Sequence, residues 1–320
     1  MKWKCAILDD YQDVALRMAD WSVLSDRVEV TAFQTHVEGE EAVAAALRDY
    51  DIVVAMRERT PFPASLLDRL DRLKLLVTSG MRNASIDLAA AARRGIVVCG
   101  TGSSSEPPAE MAWALILGLA RGLATEQRAM REGGPWQTTM GADLYGSTLG
   151  LLGLGKIGGR MARIAAAFGM KVVAWSQNLT ANKAEAAGAR LAASKEELLA
   201  ESDFVSIHLV LSERTRGLVG AAELAQMRPS AYLVNTSRAP IVDRDALIGA
   251  LRAGRIAGAG LDVFEQEPLP ADDPLRSLPN VLATPHLGYV TRGNYGIYFR
   301  EAVEDIAAFL DGTPIRQLSS

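Results

Sequence analysis

Residues 148–158 read Thr-Leu-Gly-Leu-Leu-Gly-Leu-Gly-Lys-Ile-Gly, so an apolar run enters Gly153-x-Gly155-x-x-Gly158 and an amphipathic helical pattern (Ile157, Met161, Ile164, Ala165, Phe168) leaves it. Glycines at this spacing suit a strand that turns sharply into a helix. Gly153 permits the turn, Gly155 lets backbone approach a ligand, and Gly158 lets the helix pack closely on the sheet. The first N–H groups of that helix, with Lys156 and Ile157 in its opening turn, have no partner within the helix. Together with the positive end of the dipole they favour an anion such as the pyrophosphate of a dinucleotide.

In a doubly wound sheet, ligands bind outside the carboxyl ends of the strands, so polar residues just past each apolar run come next. Three stand out: Arg238 in Asn235-Thr236-Ser237-Arg238, Glu267 in Asp262-Val263-Phe264-Glu265-Gln266-Glu267-Pro268, and His286 in Thr284-Pro285-His286-Leu287-Gly288. A guanidinium presents a planar fork of donors to a carboxylate, and an imidazole exchanges protons near neutral pH. Glu265 and Glu267 both qualify as the acid that could orient such a ring. His208 ends the run Phe204-Val205-Ser206-Ile207, and His36 has no motif around it and reads as ordinary surface. In the first third of the chain, Thr78-Ser79-Gly80-Met81-Arg82-Asn83 follows another apolar run. Arg57 and Arg82 are cations on loops there that could read an anionic group.

These residues need elements to hold them. The 320 residues are 49% hydrophobic and 22% charged, enough for two domains with separate cores. A net charge of −4, a pI near 5.6 and no long basic run argue against nucleic acid or an anionic membrane surface as partner. Small-molecule chemistry fits better. The only cysteines, Cys5 and Cys99, sit in apolar strand-like runs and read as reduced thiols, with no disulfide framework and no metal site, as a reducing cytoplasm would allow. No signal-peptide pattern opens the chain, and the most apolar segment, Met111 to Ala120, is too short to cross a bilayer.

Short apolar runs at Cys5–Leu8, Val28–Ala32, Asp51–Ala55, Leu75–Thr78 and Ile96–Cys99 alternate with helical stretches, the pattern of parallel βαβ units. One long helix is expected from about Pro107 to Arg131. A second series follows: Leu149–Leu152, Val172–Trp175, Phe204–His208, Tyr232–Asn235, Gly258–Val263 and Val281–Thr284, a six-strand count. The last periodic stretch, roughly Phe299 to Leu310, should return to the first domain. The expected fold is α/β, with two Rossmann-like or flavodoxin-like doubly wound parallel sheets and a cleft between them. The expected domains are 1–101 plus 290–320 and 102–289, with hinges near 99–106 and 287–296.

The glycine turn and the Asn-Thr-Ser-Arg, Asp-Val-Phe-x-x-Glu-Pro and Thr-Pro-His-Leu-Gly loops occur in an order and spacing that resembles the D-isomer-specific 2-hydroxyacid dehydrogenase family, over nearly the whole chain. The resemblance implies catalytic roles for Arg238, Glu267 and His286, and it selects Glu267, directly before Pro268, over Glu265. A 2-oxo acid carries a carboxylate beside a carbonyl, which a guanidinium can bind and polarise together. Hydride addition at C2 then needs a proton donor, the role implied for His286, with a carboxylate on the other ring nitrogen to fix the tautomer and favour the imidazolium. By the same resemblance Asp262 would bond a nicotinamide carboxamide with Thr236 nearby, and His208 would line the cofactor cleft. Backbone N–H groups of Gly80 and Met81 would meet the substrate carboxylate. The helix from Pro107, through Met111, Leu115, Leu119 and Leu123, would form a homodimer.

The chain departs from the family pattern in two places. Where NAD-specific domains carry an acid for the ribose 2′-hydroxyl, it reads Trp175-Ser176-Gln177-Asn178, so NAD is expected with NADP also admitted. Glu106-Pro107-Pro108-Ala109-Glu110 carries proline where the family has a β-branched residue. No room is expected for a small-molecule-sensing C-terminal domain. The implied substrates divide between a phosphoglycerate dehydrogenase and a glyoxylate or hydroxypyruvate reductase. The rival of another class is an NAD-sensing, corepressor-like binding protein.

Overall fold

The computed structural model describes residues 2–319. The chain divides into two compact units, one running through Ser104 and resuming at Thr291, the other Ser105–Val290, against sequence-based boundaries of 101/102 and 289/290.

In the first unit β1 (Trp3–Ile7), β2 (Val28–Ala32), β3 (Ile52–Ala55), β4 (Leu75–Thr78) and β5 (Val97–Gly100) form one parallel sheet in the order β2-β1-β3-β4-β5. This is the flavodoxin-like order. Every residue of β3 and β4 is buried, which explains their unbroken apolar runs: a sheet covered on both faces needs no polar alternation. The returning helix spans Arg292–Leu310, about two turns longer at its start than its apolar pattern suggested. Thr291 caps it by accepting from Asn294 N, and Tyr295, Tyr298, Phe299, Ala302 and Ile306 are buried along it.

In the second unit β6 (Thr148–Leu152), β7 (Lys171–Trp175), β8 (Arg190–Leu191), β9 (Phe204–Ile207), β10 (Tyr232–Asn235), β11 (Gly258–Leu261) and β12 (Val281–Ala283) lie in the order β12-β11-β10-β9-β6-β7-β8. The sheet has seven strands where six were expected. The addition is β8, two residues paired to β7 at Val173 and Ala174, too short to leave an alternation in the sequence. Strand order reverses between β6 and β9, so the crevice at their carboxyl ends is the switch point of a dinucleotide fold.

The single helix expected over 107–131 is two, Glu106–Ala120 and Leu123–Arg131. Gly122 between them is left-handed at φ +58°, and a Cβ there would lie 2.6 Å from Thr139 Oγ1. The apolar pattern continues across the break, which hid it. Pro107 and Pro108 fall in the first turn, where no intrahelical N–H bond is lost. The expected dimer face is corrected as well. Leu115 is 1% exposed, and Met111 and Leu119 pack with it against the core containing Leu149, Leu151 and Met161. Exposed apolar side chains gather further along, at Leu123, Met130, Trp136, Met140 and Tyr145. Both cysteines are free and buried, and burial raises both thiol pKa values, that of Cys99 to about 12. Among the described residues no helix is long and apolar enough to cross a membrane.

Candidate active site

The glycine turn separates into two jobs. Gly153 is left-handed at φ +101°, and a Cβ there would meet His208 O at 2.5 Å; one on Gly158 would meet Gly153 O at 2.2 Å. Those two glycines are required by the fold itself. A Cβ on Gly155 would meet nothing within 4 Å, so open space lies beside the N-cap of the helix Lys156–Ala167. The first helical bond runs from Gly159 N to Gly155 O at 2.8 Å, and the earlier N–H groups precede it. Lys156 is exposed and Ile157 half-buried in this opening turn. After β7, Ser176 is half-buried and Gln177 exposed.

His208 stands across the switch point, at the end of β9. Its Nε2 lies 2.9 Å from Ser206 Oγ, and its Nδ1 is buried without a protein partner. Burial pushes its pKa down to about 4, so the ring is neutral at pH 7. Open space at Gly155, the start of a twelve-residue helix and a buried, unpartnered ring nitrogen on the neighbouring strand end suit a dinucleotide.

Arg238 follows β10 in a loop tied to its own strand. Asn235 Oδ1 accepts from Ser237 N at 3.0 Å, Asn235 Nδ2 donates to Arg238 O at 3.0 Å, and Ser237 Oγ donates to Ile207 O at 2.7 Å. Arg238 Nη1 donates to Ser237 O at 2.7 Å, and Thr236 is half-buried in the same turn.

The next two strands along the sheet, β11 and β12, supply the rest. Asp262, one residue past β11, is fully buried. Its Oδ1 accepts from Thr284 Oγ1 at 2.6 Å and Leu287 N at 2.7 Å, and its Oδ2 accepts from Gly288 N at 2.7 Å. Burial raises its pKa, against the three hydrogen bonds and the charge of His286, which lower it. The carboxylate therefore clamps the 284–288 loop, a role that the family pattern did not include. That clamp holds His286 in a left-handed backbone conformation at φ +52°. Such a conformation costs on the order of 1 kcal/mol or more outside glycine and persists only where neighbours enforce it.

His286 Nδ1 lies 2.7 Å from Glu267 Oε2, and Glu267 Oε1 accepts from Phe264 N at 2.9 Å. Glu267, not Glu265, is thus the partner of the ring; Glu265 lines a separate cavity of about 260 Å³ with Arg244, Asp273 and Phe264. The Tyr289 ring meets the imidazole edge-on at 5.0 Å. Side-chain exposures of 18% for His286 and 26% for Glu267 leave the pair reachable from outside. With Nδ1 committed to a carboxylate, Nε2 is the atom able to exchange a proton with a ligand. His286, Asp262, Arg238, His208, Gly153 and Ser176 follow six strands adjacent in the sheet, β12-β11-β10-β9-β6-β7, at one carboxyl edge.

In the first unit Arg57 is left-handed at φ +54°, and its Nη1 donates to Ser79 O at 3.1 Å. Its guanidinium lies where a Cβ on Gly80 would be, 2.0 Å from that position, so residue 80 must be glycine for this arrangement. Gly80 N donates to Thr101 Oγ1 at 3.0 Å. Met81 and Arg82 are exposed on the same loop. Asn83, unremarked in the sequence, is buried and ties the two loops, donating to Arg57 O at 2.7 Å and Thr78 Oγ1 at 2.9 Å. His36 is not ordinary surface: its Nδ1 lies 2.9 Å from the buried Asp9. Neither contact leaves a local signal, because the partners are 26 and 27 residues apart. Among the described residues no group of three or more His, Cys, Asp or Glu could hold a metal ion.

The sequence model of the D-isomer specific 2-hydroxyacid dehydrogenase NAD binding domain matches residues 113–288. The chain is 37% identical over 280 residues to a glyoxylate reductase of Korarchaeum cryptofilum, covering 85% of this chain and 83% of that protein. It is 35% identical over 255 residues to a D-3-phosphoglycerate dehydrogenase of Methanocaldococcus jannaschii, covering 79% of this chain but 48% of the longer relative. The solved phosphoglycerate oxidoreductase of Vibrio cholerae superposes with a TM-score of 0.92 at 39% identity, covering 97% of this chain and 99% of that one. With the nucleotide fold, the glycine turn and the histidine–glutamate pair in place, this chain belongs to the D-isomer specific 2-hydroxyacid dehydrogenase family and is a nicotinamide-dependent oxidoreductase acting on CH–OH groups.

Proposed function

We propose that the chain interconverts a small 2-oxo acid and its D-2-hydroxy acid with Arg238, Glu267 and His286 as the acting residues. The observation that carries this reading is the 2.7 Å pairing of His286 with Glu267 on the strand ends beside Arg238. A bound nicotinamide supplies the hydride to C2, or accepts it in reverse. His286 Nε2 gives the proton to the carbonyl oxygen while Glu267 holds the opposite ring nitrogen and so keeps the ring's orientation through the transfer. Arg238 binds the carboxylate and polarises the carbonyl. Met81, Arg82 and Arg57 supply the remaining contacts to substrate, with Gly80 shaping the loop. Gly155, Lys156, Ile157, Ser176, Gln177, His208 and Thr236 hold the cofactor. NAD is the preferred form, because Ser176 and Gln177 bring no cation to a 2′-phosphate.

Glyoxylate and hydroxypyruvate are the favoured substrates, supported by the glyoxylate reductase relative that matches over 83% of its length. A phosphorylated 2-oxo acid is the second reading, supported by the likeness to the Vibrio cholerae phosphoglycerate oxidoreductase along the whole chain. We place the protein in the cytoplasm, in keeping with two buried free thiols, and as a homodimer built on the exposed apolar side chains of 123–145. The test is oxidation of NADH and NADPH in parallel against glyoxylate, hydroxypyruvate, pyruvate, phenylpyruvate and 3-phosphohydroxypyruvate. Turnover of glyoxylate or hydroxypyruvate with NADH is expected. Tight cofactor binding without turnover of any of these acids would point to a substrate outside the panel or to a nucleotide sensor.

A further inference from the structure

The first unit holds a buried carboxylate that the reaction chemistry leaves unused. Asp9, just past β1, is 2% exposed, and its backbone is left-handed at φ +57°. Its Oδ1 accepts from Tyr11 Oη at 3.2 Å and lies 2.9 Å from His36 Nδ1, while its Oδ2 accepts from Thr60 Oγ1 at 2.8 Å. Its carbonyl accepts from Arg59 Nη1 at 2.8 Å, and that guanidinium lies 4.5 Å over the Tyr11 ring. Tyr11, His36 and Thr60 follow β1, β2 and β3, so one carboxylate joins the loops at the carboxyl ends of three adjacent strands. The neighbouring Asp10 differs: it accepts from Val14 N and Ala15 N, both at 3.0 Å, and closes only its own turn.

We infer that Asp9 is a positioning residue for the substrate: by gripping Thr60 through its carboxylate and Arg59 through its carbonyl, it fixes the turn that presents Arg57. Arg57 sits two residues before Arg59 in a left-handed conformation, its N–H on Ser79 Oγ at 2.9 Å, its carbonyl on Asn83 Nδ2 and its guanidinium over Gly80, so the turn through Arg59 and Thr60 is the side of this loop that Asp9 anchors. Burial makes the grip firm, because a hydroxyl and a carboxylate removed from water cannot exchange this bond for one to solvent. This inference rests on the proposed assignment of Arg57 to the substrate.

The test is steady-state kinetics on glyoxylate and hydroxypyruvate at saturating NADH, with NADH affinity measured by fluorescence. The variants are Asp9→Asn, Thr60→Val, Thr60→Ser, Arg57→Ala and the double variant Thr60→Val with Arg57→Ala. Asp9→Asn and Thr60→Val are expected to raise KM about tenfold, with kcat and NADH affinity changed less than about twofold. Thr60→Ser keeps the hydroxyl and should restore the parent KM, and the double variant should be no worse than Arg57→Ala alone. Thr60→Val removes one hydroxyl only, so it remains decisive if Asp9→Asn does not fold. An unchanged KM in Thr60→Val beside a raised KM in Arg57→Ala, or additive effects in the double variant, would overturn the positioning role. An unchanged KM in Arg57→Ala would instead overturn the assignment of Arg57, and absence of turnover by the parent would overturn the functional reading; either removes the inference with it.

Discussion

Each sheet ends one of its strands in a buried aspartate that takes three side-chain-oxygen contacts, yet the two work differently. Asp262 accepts from two backbone N–H groups and one hydroxyl, all within 284–288, and so locks one loop onto one strand. Asp9 is met by three side chains from three loops. Backbone donors have few ways to move, whereas side-chain donors carry rotamer freedom that must be lost to form the bond. The difference fits the proposed roles: a proton donor would need one fixed ring position, while a substrate-facing loop can tolerate adjustment between ligands.

The largest expected effect lies on the Asp262 side. His286→Ala should lower kcat by about 10²–10⁴-fold while leaving NADH affinity nearly unchanged; retained turnover would show that the ring does not carry the proton. Asp262→Asn can keep its amide oxygen on Thr284 and Leu287 but then turns an NH2 donor toward Gly288 N, so it should lower kcat, spare KM, and cost about 1–3 kcal/mol of stability in urea denaturation. That pattern is opposite to the raised KM expected of Asp9→Asn, and a shared pattern would erase the distinction between the two clamps.

The glycine turn offers an intermediate test of rigid against open parts. Gly158→Ala drives a Cβ to 2.2 Å from a carbonyl oxygen and should destabilise the fold by about 1–3 kcal/mol. Gly155→Ala meets open space, so its melting temperature should stay within about 2 °C of the parent while NADH binding weakens. Calorimetry and NADH titration on both variants separate fold from cofactor, and a Gly155→Ala protein with parent affinity would remove the turn from the binding site.

The smallest effects concern pH, and they run in opposite directions in the two units. The folded pKa of His208 is about 4, below the ordinary 6.5, because burial disfavours the charged ring. Its contribution to stability is therefore complete above pH 6.5 and lost as pH falls toward 4. Asp305, fully buried on the returning helix, is raised from 3.8 to about 7 by burial, with Arg316 opposing the shift. The folded state keeps a proton that the unfolded chain has released, so this contribution is complete below pH 3.8 and lost as pH rises through 7. Melting temperatures from pH 4 to 8 should lose their acid-side slope in His208→Asn and their neutral-side slope in Asp305→Asn, by about 2–4 °C for each kcal/mol involved. Unchanged slopes in either variant would sink that attribution.

Legibility followed the range of the interactions. β4 and β10 were readable to the residue because buried strands appear as short apolar runs between turns, and β2, an edge strand, because Val28, Val30 and Ala32 alternate with exposed Glu29 and Thr31. β8 was not, having only Arg190 and Leu191 to mark it. The break at Gly122 was missed because apolar spacing persists through it and the left-handed turn is set by backbone geometry and the nearby Thr139. Arg238, Glu267 and His286 were legible as loop residues beyond strands, and the selection of Glu267 over Glu265 needed the family pattern before the 2.7 Å contact displayed it.

By itself, then, the sequence determined two parallel α/β layers, a nucleotide turn and the types of residue at the reacting edge, since each depends on spacing within a few residues. Tertiary structure alone decided that Asp262 clamps the histidine loop, that Gly80 spends its N–H on Thr101, and that Asp9 joins His36 and Thr60. A buried polar group must find a partner wherever the folded chain brings one, and no local pattern records which distant loop that is.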